Sequence, residues 1–131
     1  MNSLFLDVKA AFDAVWKNGL KLKIKNIGLT KQLENLLLSF LDDRLLRVFI
    51  DGLWSEKVDL RAGTPQGSVL SPILYLILMN DATDNINKEL ISPSQFADDI
   101  GIWSSGSSVQ ETMKTMQDGV DALEKWCKKW L

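Results

Sequence analysis

"SPSQFADDIGIW", Ser92 to Trp103, is the stretch on which the fold turns. It reads as two short strands meeting at a tight turn, with two carboxylates, Asp98 and Asp99, at the bend. At an effective dielectric of about 20, unit charges about 4 Å apart repel by about 4 kcal/mol, so a fold that gathers carboxylates here needs a cation or a proton. Aspartate is also an ordinary turn residue, able to bond its own backbone. On this stretch alone the simpler explanation stands beside the functional one.

Downstream of the hairpin, "SSGSS" (Ser104 to Ser108) is a short connector, and Ser108 with Glu111 forms a capping box. Val109, Met113, Met116, Val120, Leu123, Trp126 and Trp130 then recur at steps of three and four, which predicts an amphipathic helix facing a core. Upstream, Ser71 and Pro72 are expected to supply an N-cap and a first-turn proline. "ILYLILMNDATDNI", Ile73 to Ile86, is then a helix, apolar nearly all round and deep in the core. The loop "AGTPQGS", Ala62 to Ser68, precedes it.

Before that loop, "RLLRVFIDGLWSEKVDLR" (Arg44 to Arg61) has strand-like runs on either side of Asp51-Gly52, a hairpin signal. Thr30 is an N-cap candidate for a helix carrying Leu33, Leu36, Leu37, Phe40 and Leu41. "LKLKIK", Leu20 to Lys25, fits a strand by its period of two, but Leu20, Ile24 and Ile27 also share a helical face, and Gly28 as a stop favours the helix. At the N-terminus "NSLFLDV" alternates: Leu4, Leu6 and Val8 on one face, Phe5 and Asp7 on the other, a strand with Asp7 near its end.

This order of elements predicts an α+β fold, one antiparallel sheet with helices packed on one face and the Asp7 face free to form a cleft. At 131 residues the chain has single-domain length, and its 46% hydrophobic and 24% charged content is that of a globular protein. "PILYLILM" (Pro72 to Met79), the longest apolar run, is too short to span a bilayer, and "MNSLFLDVK" lacks signal-peptide features. An intracellular protein, nuclear or cytoplasmic, is expected.

There is no histidine and Cys127 is the one cysteine, which excludes disulfide frameworks, Cys/His zinc sites and histidine-based triads. Chemistry must run on carboxylates, lysines, hydroxyls, amides or a borrowed metal. The net charge of −2 conceals a basic stretch through Lys31 (Lys9, Lys17, Lys21, Lys23, Lys25 and Lys31 against Asp7 and Asp13) and an acidic one, Asn80 to Glu124, with nine acids against Lys88 and Lys114. A nucleic-acid footprint is thus only local. If the first strand and the Asp98-Asp99 hairpin are neighbours, three carboxylates meet at one sheet edge, a donor set suited to Mg²⁺.

"FLDVKAAFDAVW" (Phe5 to Trp16), "AGTPQGSVLSPILYLILMND" (Ala62 to Asp81) and "FADD" (Phe96 to Asp99) resemble, in order and spacing, three successive motifs of reverse transcriptases, most closely those of non-LTR, LINE-like or jockey-type retrotransposons. "LEKWCKKW", Leu123 to Trp130, looks like the opening of the next motif. The resemblance implies a polymerase palm, a partial reverse transcriptase domain over residues 1–131 with fingers and thumb incomplete.

It further implies that Asp7 and Asp98 bridge two Mg²⁺ ions (Mn²⁺ as a substitute), with Asp99 the third acid and the Val8 carbonyl a further metal contact. Lys9, Ala10 and Ala11 match the backbone that holds the incoming triphosphate, and Gln66 and Gly67 the loop against the nascent base pair. Phe12 matches the residue whose bulk excludes a ribose 2′-OH; without the companion motifs, Phe12 and Trp16 would read as core packing at a helix start. The implied partners are an RNA template, a DNA primer, a dNTP and the rest of a retrotransposon polyprotein.

The isolated chain is expected not to polymerise on its own. The competing reading is a vestigial or domesticated fragment that binds RNA or protein through its lysine-rich third. A third, an RNA-templated RNA polymerase, is disfavoured by Phe12 and the motif order.

Overall fold

Leu4 and Leu6 lie half-buried while Ser3, Phe5 and Asp7 are exposed, the alternation that a strand with one covered face requires. The structure, a computed structural model, describes residues 1–9, 11–60, 62–65 and 67–131. The chain divides into two compact units, Met1–Ala11 with Leu78–Leu131, and Phe12–Ile77. Among the described residues there are four α-helices and three antiparallel sheets, and no helix is long and apolar enough to cross a membrane.

The first unit is built on a three-stranded sheet. β1 (Asn2–Asp7) and β6 (Ser92–Phe96) flank β7 (Asp99–Ser104) in the order β1-β7-β6. Leu4 and Leu6 stand opposite Ile102 and Ile100. Pro93 is tolerated because β6 is an edge strand, where one lost donor need not break a ladder. Phe96 pairs with Asp99, so the turn is Ala97-Asp98, with a positive φ of 52° at Ala97 and none at Asp98. That is the II′ pattern, whose first position normally belongs to glycine.

α4 (Val109–Trp130) packs on β7 and β1. Ser108 Oγ accepts from the Glu111 amide at 3.2 Å, and the Glu111 carboxylate accepts in return from the Ser107 amide at 3.1 Å. The buried stripe is Thr112, Met116, Gly119, Leu123, Trp126 and Trp130. Val109 and Met113, expected on it, are exposed. Two neighbouring stripes were available, and the sheet takes the one with Gly119, where a Cβ would come within 2.7 Å of Ile91 Cδ1. Trp126 Nε1 donates to Asp81 Oδ1 at 2.7 Å, fastening α4 to the turns around residue 81.

Those turns replace the expected continuation of a helix to Ile86. α3 (Leu70–Met79) ends at Met79, and i→i+3 bonds follow, from Ala82 to Met79, Asp84 to Asp81 and Ile86 to Thr83. Asp, Thr and Asn in this stretch offer local alternatives to the helical ladder. The Met79 carbonyl also accepts from Gln95 Nε2 at 3.2 Å.

In the second unit α1 (Lys17–Asn26) and α2 (Lys31–Leu41) pack together. The helical reading of "LKLKIK" holds, with Leu20 and Ile24 wholly buried, although Ile27 is largely exposed. Thr30 occupies the N-cap position of α2 without a side-chain bond, and of the expected stripe only Leu37 and Leu41 are fully buried. Leu33 and Leu36 stay exposed, with no described residue of this unit covering that side of α2.

The hairpin is broken into two short ladders. β2 (Leu45–Leu46) pairs β5 (Val58–Asp59), and β3 (Phe49–Ile50) pairs β4 (Leu53–Trp54). Asp51 and Gly52 both have positive φ, the I′ turn the sequence calls for. α3 starts at Leu70, so Ser71 is not its cap: Ser71 Oγ donates to the Pro65 carbonyl at 2.5 Å, while Ser68 Oγ accepts from the Leu70 amide at 3.2 Å. Pro72 does fall in the first turn. Tyr75 and Leu74 are buried, but Ile73 and Leu76 are about half exposed, so α3 is not apolar-covered all round.

Candidate active site

The β1–β7 register sets Asp7 directly opposite Asp99. Opposed residues of an antiparallel pair share a face, so both carboxylates lie on the side away from α4, beside the exposed rings of Phe5 and Phe96. Asp98, one residue earlier, sits half-buried in the turn itself. None of the ion pairs among the described residues involves Asp7, Asp98 or Asp99. The pairing places two of the predicted acids side by side and keeps the third next to them in the chain. It does not draw all three together: among the described residues no group of three or more His, Cys, Asp or Glu side chains is arranged to hold a metal ion.

The donor chemistry nevertheless fits Mg²⁺, which takes hard oxygen ligands and is commonly held by one or two carboxylates, with water and substrate phosphate completing the shell. Val8 is half-buried and Lys9 exposed just beyond Asp7, and Ala11 is buried. Ala10 lies outside the described residues, as does Gln66.

In the second unit Phe12 and Gly67 line one cavity of about 480 Å³ with Ser68, Val69, Ser71 and Pro72. The Phe12 ring lies 4.8 Å from that of Tyr75, centroid to centroid, tilted by 37°. Sequence reasoning assigned Ser71 and Pro72 to a helix start and overlooked Tyr75. Its signal is a lone aromatic in an otherwise aliphatic helix, three residues after a first-turn proline.

The lysine-rich third is partly committed within the fold. Lys17 Nζ donates to the Leu60 carbonyl and Lys21 pairs with Asp42. Burial, then the neighbouring charges of Arg44 and Lys21, lower the Lys17 pKa. Lys31 is engaged with Glu34. Burial pushes the Cys127 thiol up, away from a reactive thiolate.

The sequence model of the family described as "Reverse transcriptase (RNA-dependent DNA polymerase)" matches residues 3–131. The chain belongs to the reverse transcriptase family. It is 37% identical over 133 residues to the "RNA-directed DNA polymerase from mobile element jockey" of Drosophila funebris, covering 98% of this chain and 14% of that protein. It is 35% identical over 133 residues to the "Probable RNA-directed DNA polymerase from transposon X-element" of Drosophila melanogaster, covering 98% and 14%. To the "Probable RNA-directed DNA polymerase from transposon BS" of the same fly it is 33% identical over 135 residues, covering 99% and 15%. The likeness is to the non-LTR, jockey-type enzymes. This reverse transcriptase segment spans about one seventh of the length of these relatives.

Proposed function

We propose that this chain is the palm core of a non-LTR retrotransposon reverse transcriptase and works as one partial domain of a larger polyprotein. The reaction is template-directed: the oxygen of a DNA primer 3′-OH attacks the α-phosphorus of a dNTP paired to an RNA template. A P–O bond forms, the α–β bond breaks, pyrophosphate leaves and the hydroxyl proton passes to solvent. With no histidine in the chain, catalysis is positioning and electrostatics, the mode typical of phosphoryl transfer.

Asp7, Asp98 and Asp99 would hold Mg²⁺, or Mn²⁺ in its place, together with the Val8 carbonyl. Bound metal supplies charge neutralisation on the triphosphate and a lowered pKa for the primer hydroxyl. By the family likeness, the backbone of Lys9, Ala10 and Ala11 would cradle the triphosphate. Phe12 would meet the sugar and exclude a 2′-OH, and Gln66 and Gly67 would belong to the loop against the nascent base pair. Support comes above all from the direct opposition of Asp7 and Asp99 on an exposed face, which creates a local negative charge that no ion pair among the described residues offsets.

Asp98→Asn in the complete polymerase removes charge with little change of volume, and dNTP incorporation should fall by orders of magnitude while the fold persists. Unchanged incorporation would refute the assignment. The isolated chain should not extend a primer.

A second reading, a vestigial or domesticated fragment that binds RNA or protein without catalysis, is favoured by one observation: Lys9 and Lys25 of the lysine-rich third are exposed. Titrating the chain with Mg²⁺ while following amide NMR signals separates the two. Shifts confined to Asp7, Asp98 and Asp99 support the polymerase, and no shifts support the vestige.

A further inference from the structure

Phe12 is held from two sides. Its ring lies against Tyr75, which is 1% exposed and therefore cannot retreat into solvent. Its backbone is tied to the loop before α3: the Thr64 amide donates to the Phe12 carbonyl at 2.9 Å, and the Gly63 amide to the Val15 carbonyl at 2.9 Å. Gly63 has a φ of +80°, and a Cβ there would stand 3.2 Å from Asp13 Cα, from the Asp13 carbonyl oxygen and from the Phe12 carbonyl oxygen. L side chains rarely adopt this backbone conformation, and a Cβ would push on the residue 12–13 backbone by a few tenths of an ångström, so glycine at residue 63 suits the loop's close run past it.

We infer that Tyr75 and the Gly63–Thr64 backbone form a seat that sets where the Phe12 ring stands, so that sugar discrimination depends on the seat as well as on Phe12. This rests on the reading of Phe12 as the residue that meets the sugar. Tyr75 and Gly63 are positioning residues, since both act through Phe12. Excluding a single hydroxyl by contact depends on steep short-range repulsion, and a displacement of about 1 Å can change a rate 10²-fold. Precise sites owe that precision to the residues packed behind them.

The test is the ratio of kcat/KM for a dNTP to that for the matching rNTP, measured on the complete polymerase that carries this segment. Tyr75→Leu should lower the ratio at least tenfold, chiefly through a faster rNTP reaction, and Tyr75→Phe, which keeps the ring, should restore it. Phe12→Val should lower the ratio further, and adding Tyr75→Leu to it should change nothing more, because the seat acts only through the ring. Gly63→Ala approaches the same seat from the loop and should also lower the ratio, which keeps the test decisive if Tyr75→Leu fails to fold. If Phe12→Val lowers the ratio while Tyr75→Leu and Gly63→Ala leave it unaltered, the seat is refuted and the Phe12 reading stands. If Phe12→Val itself leaves the ratio unaltered, both fall.

Discussion

Asp7 of β1 and Asp99 of β7 are direct cross-strand partners, two carboxylates on one exposed sheet face. Like charges set directly opposite destabilise a strand pair, by an amount comparable to the roughly 0.2–1 kcal/mol that favourable pairs contribute. A protein that keeps such a pair gives up stability to hold a charge.

Asp99→Asn should therefore stabilise the metal-free chain by up to about 1 kcal/mol. Mg²⁺ should raise the melting temperature of the native chain and have a smaller effect on the variant, because an ion that binds only the folded state stabilises by mass action. Circular dichroism melts with and without Mg²⁺ check both. Equal responses of the two proteins would separate the carboxylate pair from the ion.

Ala97 carries the strain of the hairpin that presents Asp98. A left-handed backbone costs an L-residue about 1–2 kcal/mol and a β-branched one more. With φ at +52°, Ala97→Val should lower stability by about 1–2 kcal/mol and Ala97→Gly should not lower it. Urea denaturation midpoints would show the order Gly, Ala, Val from most to least stable.

Gly119 sets the distance between α4 and the sheet. Alanine is worth about 1 kcal/mol over glycine inside a helix, but its Cβ would meet Ile91 Cδ1 at 2.7 Å. Gly119→Ala alone should leave stability within about 1 kcal/mol of the native chain, as overpacking offsets propensity. In an Ile91→Val background, which removes that Cδ1, the same change should stabilise by about 1 kcal/mol. A double-mutant cycle reads the coupling directly.

Glu111 supplies a pH dependence of known sign. Hydrogen bonds from the Ser107 side chain and amide hold its carboxyl below the usual range. A folded-state pKa below the unfolded one contributes stability that is present above the unfolded value of 4.5 and lost as pH falls through the folded one. Glu111→Gln should therefore melt lower than the native chain at pH 7. The gap should close as the pH falls from 4.5 through the lowered folded-state value. A gap that stayed constant with pH would assign the loss to packing.

Local pattern carried much of this molecule. Alternation marked β1, Asp51-Gly52 marked an I′ turn, the Ser108 and Glu111 pair marked the start of α4, and Gly28 marked a helix stop; each is set by residues within a few positions of one another. The family, too, was legible in three spaced motifs. What lay beyond reach depended on partners distant in the chain.

The sequence by itself determined that a hairpin bends at Asp98, with Asp99 next to the bend, and that Asp7 ends a strand, because turn chemistry and alternation are short-range. Only the tertiary structure decided that Asp99 is the residue opposite Asp7, that α4 buries Thr112 and Gly119 in preference to Val109 and Met113, and that Tyr75 lies behind Phe12. Register, choice of buried face and ring contacts are settled by close packing between segments far apart in the chain, and a side chain's own neighbours in sequence exert no force that selects among them.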